Sequence, residues 1–378
     1  MEITIDKSEE QKFRASLEAR SDAEAKRLVR FLKMPDLSRT PGSPIHELVG
    51  RIIALEYFKG FDVIDAPEVV PADISFDLFN FPADHPVRSP SDTYYVDPQN
   101  ILRTHTTVMW YYYVNSPHIK EKIKKNEPLK VFSYGKVYRK DEIDRNHMNI
   151  FHQMDGLYLA PSDQKIITPE DLEEALAEVA RAIYGPDIQY RFNRDTFPYT
   201  DPSIEMEIKV GERWIEVLGG GLVRPVVLGN FGIDPKQYNG WAFGFGLERL
   251  AIISMDLPDI RLLWSHDPRI TRQLALGTTY KEVSKYPAIT RDISFIIDAD
   301  FVPNNYFDLI RDIGGDLVEE VKLLDRYEDP EKFGKGKVSY TYRITYRSNE
   351  RTLTTEEIDP LQDRVYRETA EVFRVTLR

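Results

Sequence analysis

Residues 135–156 read GKVYRKDEIDRNHMNIFHQMDG, two strand-like runs joined by a charged turn. Alternate residues of a strand share a face, so Phe151, Gln153 and Asp155 point together while Met154 points the other way. A ring, an amide and a carboxylate make a poor core stripe, and alone they read as a solvent-facing strand. The run before them shifts the balance, because Arg139 and Asp141 share one face of the first strand. A guanidinium fork beside an amide and a carboxylate can hold a phosphate and an ammonium group together.

Working outward, GWAFGFGLER at 240–249 places Trp241, Phe243 and Phe245 on one strand face and Ala242, Gly244 and Gly246 on the other. A face of glycine and alanine leaves room for a ligand or a close backbone. The spacing is not GxGxxG, which excludes a Rossmann reading. Arg249 follows as the strand turns into a helix, and close packing of that helix on a glycine floor is the plain competitor. Phe197 and Tyr199 in TFPYTDP share a face, as pocket walls or as core. Glu205, Glu207 and Glu216 lie on neighbouring strand-like runs. They are solvated residues or hard oxygen ligands suited to Mg²⁺ on a nucleotide phosphate. His105 and His147 stand alone in their segments, where a histidine is more often not a ligand.

The order of elements gives the fold class. Residues 8–34 form a polar helical arm, a second helix runs from His46 toward Gly60, and Pro67 interrupts the strand FDVIDAPEVV. KVFSYGKVYRK, IFHQMDGLYLA, IEMEIKV, RWIEVLGG and GWAFGFG then follow as strands with one helix, PEDLEEALAEVARAIYG, among them. This argues for an antiparallel sheet in an α+β domain. RLAIISMDLPDIRLLW closes the domain as a helix. Residues 276–290 read as a linker, and beyond them the order is the β-α-β-β-α-β of a ferredoxin-like domain. The expected division is an arm at 1–43, a catalytic domain at 44–275 and a ferredoxin-like domain at 285–378.

Composition narrows the class. The 378 residues are 42% hydrophobic and 30% charged, which suits a soluble globular chain of two or three domains. No cysteine is present, which excludes a disulfide scaffold, a thiolate metal site and a cysteine nucleophile. No apolar stretch is long enough to span a bilayer. Residues 1–40 carry eight acidic and nine basic side chains, unlike a transit peptide, so the expected location is cytoplasmic. The net charge of −12 argues against nucleic-acid binding unless a local basic face exists. One candidate face is KVSYTYRITYR, whose even residues 338–346 are apolar and whose odd residues 337–347 are polar and basic. With two helices covering one side of such a sheet, the other side is open to single-stranded RNA.

Taken together, GKVYRKDEIDRNH, IFHQMDG, TFPYTDPSIEMEI, WIEVLGGG and GWAFGFGLERLAI resemble the catalytic core of class II phenylalanyl-tRNA synthetases. The likeness runs from about residue 44 to 360, and in its C-terminal part it resembles the single-chain, mitochondrial type. It implies ATP and phenylalanine as substrates, Mg²⁺ as metal, tRNA as partner and a monomeric state. By resemblance, Arg139 and Arg249 grip the ATP α-phosphate and cover the adenine, Phe151 stacks on its other face, and Asp141 and His147 belong to the same ATP site. His105, Thr107, Gln153 and Asp155 surround the substrate amino and carboxylate groups. Phe197 and Tyr199 pack on its ring, with Ala242 and Gly244 at the far end, and Glu216 is the Mg²⁺ candidate. Ser294, Arg343, Thr345 and Arg347 face the anticodon. Thr107 stands where the family has Ser, Asp141 and Asp155 where it has Glu, and Tyr199 where it has Phe. The alternative is a silent paralogue that binds RNA or an amino acid as a regulator.

Overall fold

The computed structural model describes residues 1–282 and 286–378, which form two compact units. Residues 283–285, in the expected linker and at the expected start of the second domain, lie outside the described residues. The first unit comprises Met1–Arg139, Ile150–Asp256 and Ala275–Thr279. The second comprises Lys140–Asn149 and Leu257–Leu274, together with the described part of Tyr280–Arg378.

The first unit opens with β1 (Glu2–Ile3), α1 (Ser8–Ala19) and α2 (Ala23–Lys33). The arm is therefore two helices, with the Asp22 side chain accepting from the Ala25 N–H at the start of the second. Next come α3 (Pro44–Ile53), β2 (Asp62–Ile64), β3 (Val69–Pro71), α4 (Ala72–Phe76) and β4 (Asn100–Leu102). The helix from His46 ends near Ile53, short of Gly60, and the strand around Pro67 is split in two as its missing N–H requires. After α5 (Met109–Asn115) and α6 (Pro117–Lys124) come the long strands β5 (Leu129–Tyr138) and β6 (Ile150–Pro161). The rest is α7 (Pro169–Tyr184), β7 (Tyr190–Phe197), β8 (Thr200–Val210), β9 (Arg213–Val223), α8 (Pro225–Asn230), β10 (Tyr238–Gly246) and α9 (Leu247–Met255). The last helix stops at Asp256, in the left-handed region, and does not reach Trp264 as the sequence suggested. Pro258 explains this, since it disfavours a helical Leu257.

Eight strands form one sheet in the order β1-β2-β5-β6-β10-β9-β8-β7. The six strands from β5 to β7 are antiparallel, but β1–β2 and β2–β5 pair in parallel, so the sheet is mixed and not purely antiparallel. Trp241, Phe243 and Phe245 stack along β10 and are buried, packed with buried Phe58 and Phe132 and half-buried Phe61. Gly156 is required on that side, because a Cβ there would lie 2.6 Å from the Phe243 ring. Ala242, Gly244 and Gly246 line the opposite face, which leaves that side of the sheet for side chains of other strands.

The second unit contains α10 (Pro268–Thr271), β11 (Ile289–Asp298), α11 (Pro303–Gly314), β12 (Val318–Glu328), α12 (Pro330–Phe333), β13 (Lys337–Tyr346), α13 (Thr355–Phe373) and β14 (Thr376–Leu377). Its sheet is antiparallel in the order β12-β13-β11-β14, and its β-α-β-β-α-β sequence has one added short helix. Val338, Tyr340, Tyr342, Ile344 and Tyr346 are buried with Ile293, Phe295 and Ile297, as the alternation predicts. Ile143, from the turn between β5 and β6, is buried in the same core.

Candidate active site

On β6 the alternation places Phe151, Gln153 and Asp155 on the glycine face of β10, with Gln153 opposite Gly246 and Asp155 opposite Gly244. Gly244 is needed there: a Cβ would lie 2.5 Å from Asp155 Oδ1. The Asp155 carboxylate is buried and accepts from the hydroxyls of Thr106 and Thr107, the latter at 2.7 Å. Burial raises its pKa to about 6, against the lowering pull of the two hydroxyls and of Arg139.

His105 sits just before those threonines, with Nε2 3.1 Å from the Ser75 carbonyl. A carbonyl can only accept, so Nε2 carries the proton and Nδ1 is a bare acceptor. Nδ1 is buried without a donor among the described residues, and so is Oε1 of Gln153. Burial, reinforced by Arg139, depresses the His105 pKa to about 3 and keeps the ring neutral. One acidic group and two orphaned acceptors suit a small cation with several N–H donors.

The aromatic wall follows. Phe197 and Tyr199 lie parallel, 5.8 Å between centroids and 9° between planes. Gly219 gives Phe197 its place, since a Cβ there would approach the ring to 3.3 Å. Phe79 contacts both Tyr199 and His105 edge-on, and Phe81 packs near both as well. Ala242 is buried in the core cluster against which Tyr199 packs.

Arg139 lies one residue beyond the end of β5, so it and Asp141 do not share a strand face as the sequence suggested. Its Nε donates to the Thr104 carbonyl at 2.9 Å, and its guanidinium carbon lies 5.2 Å from the Phe151 ring centre. Arg249 is the third residue of α9, half exposed, with Nη1 3.3 Å from the Glu216 carbonyl oxygen and 3.6 Å from its carboxylate. Glu216 is exposed on β9, opposite Glu207. Glu207 is engaged by Arg191 at 2.5 Å and Asn193 at 2.8 Å, and Glu205 receives Asn193 at 3.2 Å. No cluster of three or more metal-ligating side chains occurs among the described residues.

Asp141 and His147 are the two expected ATP-site residues outside the first unit. They lie in the connector Lys140–Asn149, which belongs to the second unit. His147 is exposed and bonds to Asp144, while Arg311 donates to the carbonyls of Asp141 and Glu142. In the second unit Arg343 forms two 2.7 Å bonds to Asp292, and Ser294 bonds to Thr341. Thr345 is half-exposed. Arg347 is committed internally, to Glu319 at 2.5 Å and the Tyr286 carbonyl at 2.7 Å. Ser339, expected outward, is buried.

Residues 32–274 match the family described as the class II core domain (F) of tRNA synthetases, and residues 284–378 match the ferredoxin-fold anticodon-binding domain. The chloroplastic/mitochondrial phenylalanine–tRNA ligase of Arabidopsis thaliana is 41% identical over 332 residues, covering 85% of this chain and 73% of that protein. The chain belongs to the class II phenylalanine–tRNA ligases. The mitochondrial phenylalanine–tRNA ligase of Mus musculus is 35% identical over 337 residues, 79% of this chain and 71% of its own length. A pyrrolysyl-tRNA synthetase of Desulfitobacterium hafniense aligns over 64% of this chain and 79% of its own, at 18% identity and a TM-score of 0.45.

Some site residues escaped the sequence reading. Thr106 beside Thr107, and Phe79 and Phe81 in FDLFNFPADHP, carried only the signal of lying within the span, about residues 44–360, over which the resemblance runs. Glu248 carried the signal of adjoining Arg249.

Proposed function

We propose that this chain performs the reaction of its family, activating phenylalanine with ATP and charging tRNA, through the residues gathered on the glycine face of β6 and β10. The carrying observation is the buried Asp155 carboxylate together with His105 Nδ1 and Gln153 Oε1, two buried acceptors that meet no donor among the described residues. In this reading it receives the substrate ammonium. Phe197 and Tyr199 hold the ring, backed by Phe79, and Ala242 and Gly244 close the end of the site. Thr107 steadies Asp155.

Phe151 and Arg249 form the two sides of the adenine site, and Arg139 reaches the α-phosphate. The substrate carboxylate attacks the α-phosphorus and the bond to pyrophosphate breaks, giving phenylalanyl-adenylate. The terminal ribose hydroxyl of tRNA then attacks the acyl carbon and AMP leaves. The side chains supply position and positive charge, and no covalent enzyme intermediate is needed. Exposed Glu216, beside Arg249, is the carboxylate that would hold a Mg²⁺ at the substrate phosphates. Such an ion would neutralise charge on the phosphates.

For tRNA, the outward face of β13 with Arg343, Thr345 and Ser294 is joined by exposed Tyr327 of β12. The Tyr327 ring meets Phe333 edge-on at 5.9 Å, and Arg378 lies 5.3 Å from the Phe333 ring centre. Rings and guanidinium groups on an open sheet are the chemistry that stacks unpaired bases. Arg347 drops out of this set. The monomeric, cytoplasmic reading is checked by sedimentation and cell fractionation. The named relatives are organellar enzymes, and no helix among the described residues is long and apolar enough to cross a membrane.

Two measurements test the amino-acid site. The KM for phenylalanine should rise about tenfold from pH 7 to pH 5, because Asp155 titrates near 6 and its protonated form cannot pair with an ammonium. His105 stays neutral throughout and does not contribute. Stability moves the opposite way. The folded-state value lies above the ordinary 3.8, so Asp155 favours the fold at low pH and that contribution is lost as pH rises through 6. A flat KM across this window would remove Asp155 from the site. Gly244→Ala should push Asp155 aside and lower phenylalanine activation by about tenfold or more while leaving KM for ATP near its original value. Equal losses for both substrates would place Gly244 outside the amino-acid pocket.

A further inference from the structure

Glu248 precedes Arg249 in α9, yet its carboxylate is buried, 3% exposed, and turned away from the substrate face. It accepts the backbone N–H of His152 at 2.8 and 3.0 Å and the His152 ring Nδ1 at 2.6 Å, across 96 residues of chain. His152 is fully buried on the side of β6 opposite Phe151 and Gln153. Its other nitrogen, Nε2, lies 2.9 Å from the Leu37 backbone N–H. Glu248 can only accept there, so Nδ1 carries a proton and donates it to the carboxylate, while Nε2 also lies 3.3 Å from Asp36 Oδ1. The Leu37 N–H is presented by a turn in which Asp36 accepts from the Ser38 N–H at 2.9 Å.

We propose that Glu248 is a positioning residue, which through His152 fixes the Arg249 end of α9 against the Phe151–Gln153 segment of β6 and so sets the spacing of the ATP site. A buried carboxylate is costly unless its lone pairs are filled, and here a single residue of β6 supplies both donors. The tether acts from behind the sheet. It touches no substrate, but the residues on either side of His152 and the one after Glu248 all belong to the proposed ATP and amino-acid sites. A small slip between the two elements would change the gap between Phe151 and Arg249 while leaving the ring pocket of Phe197 and Tyr199 in place.

The inference rests on the reading of Phe151 and Arg249 as the two sides of the ATP site. Phenylalanine-dependent ATP–pyrophosphate exchange on the full chain, with each substrate varied separately, tests it. Glu248→Gln should raise KM for ATP about tenfold, the effect of losing a charge-assisted hydrogen bond, with KM for phenylalanine almost unchanged. His152→Leu should follow it. His152→Asn, whose amide can donate to Glu248 in place of Nδ1, should restore the KM for ATP, and this pair decides the question if Glu248→Gln does not fold. Arg249→Ala is the control. If it leaves exchange intact, the ATP reading fails and the positioning role fails with it. If it abolishes exchange while Glu248→Gln and His152→Leu lower only Tm, or raise both KM values alike, the tether is merely structural and this inference alone is overturned.

Discussion

Replacing Arg249 by alanine should lower phenylalanine-dependent ATP–pyrophosphate exchange by about 10²–10³-fold and leave the protein folded. The side chain is half exposed, and its protein bonds are a 3.3 Å contact to a carbonyl and a 3.6 Å ion pair with an exposed carboxylate. Exposed pairs of this kind contribute about 0–1 kcal/mol, so Tm should fall by no more than a few degrees. In the proposed site its catalytic share is larger because its charge stands in the first turn of α9, whose N-cap Gly246 offers the helix no side-chain acceptor. A fixed cation in that place opposes the negative charge that builds on the phosphates as pyrophosphate departs. Lysine should recover only part of the loss, since it cannot offer a planar group to a nucleobase. Exchange at the original rate in folded Arg249→Ala would require a different ATP site.

Removing the ferredoxin-like domain by ending the chain at Gly277 should abolish tRNA charging and should also weaken ATP use. The sequence alone suggests that activation would survive such a cut, because the residues assigned to substrates all precede it. The connector Lys140–Asn149 changes that expectation. Ile143 is buried in the core of the ferredoxin-like unit, and the Val321 N–H donates to its carbonyl at 3.1 Å. Arg311 holds two further carbonyls at 2.6–2.7 Å, and Arg145 pairs with the buried Glu319. Without these partners the segment between Arg139 and Phe151 loses its anchor and exposes an isoleucine. KM for ATP should rise about tenfold or more, the scale of a few lost hydrogen bonds, with a smaller change for phenylalanine. Arg311→Ala in the full chain should give a milder form of the same defect. If the shortened protein folds and activates phenylalanine with the original KM for ATP, the connector carries no functional load.

Much of this molecule was legible because its patterns are local. The alternation in FHQMDG and GWAFGFG assigns each side chain to a face, and Gly244 opposite Asp155 confirms the pairing of those faces. The order of strands and helices after residue 288 likewise gave the ferredoxin-like unit, and buried Tyr340, Tyr342 and Ile344 follow its two-residue period. Proline also acted locally, splitting the segment around Pro67 and stopping α9 before Pro258.

Other features exist only once distant segments meet. The parallel pairing of β1 with β2 cannot be read from two residues, since a strand that short has no period of its own. Arg343 and Arg347 look alike in KVSYTYRITYR, yet one sits on the open face beside Asp292 while the other is spent on Glu319 and Tyr286. The charge of a side chain is written in the sequence, but its availability depends on partners brought near by folding. Sequence by itself determined the ferredoxin-like order, the family and the facing of the residues on β6 and β10, because these follow from periodicity and order. Only the tertiary structure decided that Asp141 and His147 belong to the second unit, that Asp155 titrates near 6, and that Glu248 is tied to His152. Those outcomes depend on burial and on bonds between residues far apart in sequence, and neither quantity has a local signature.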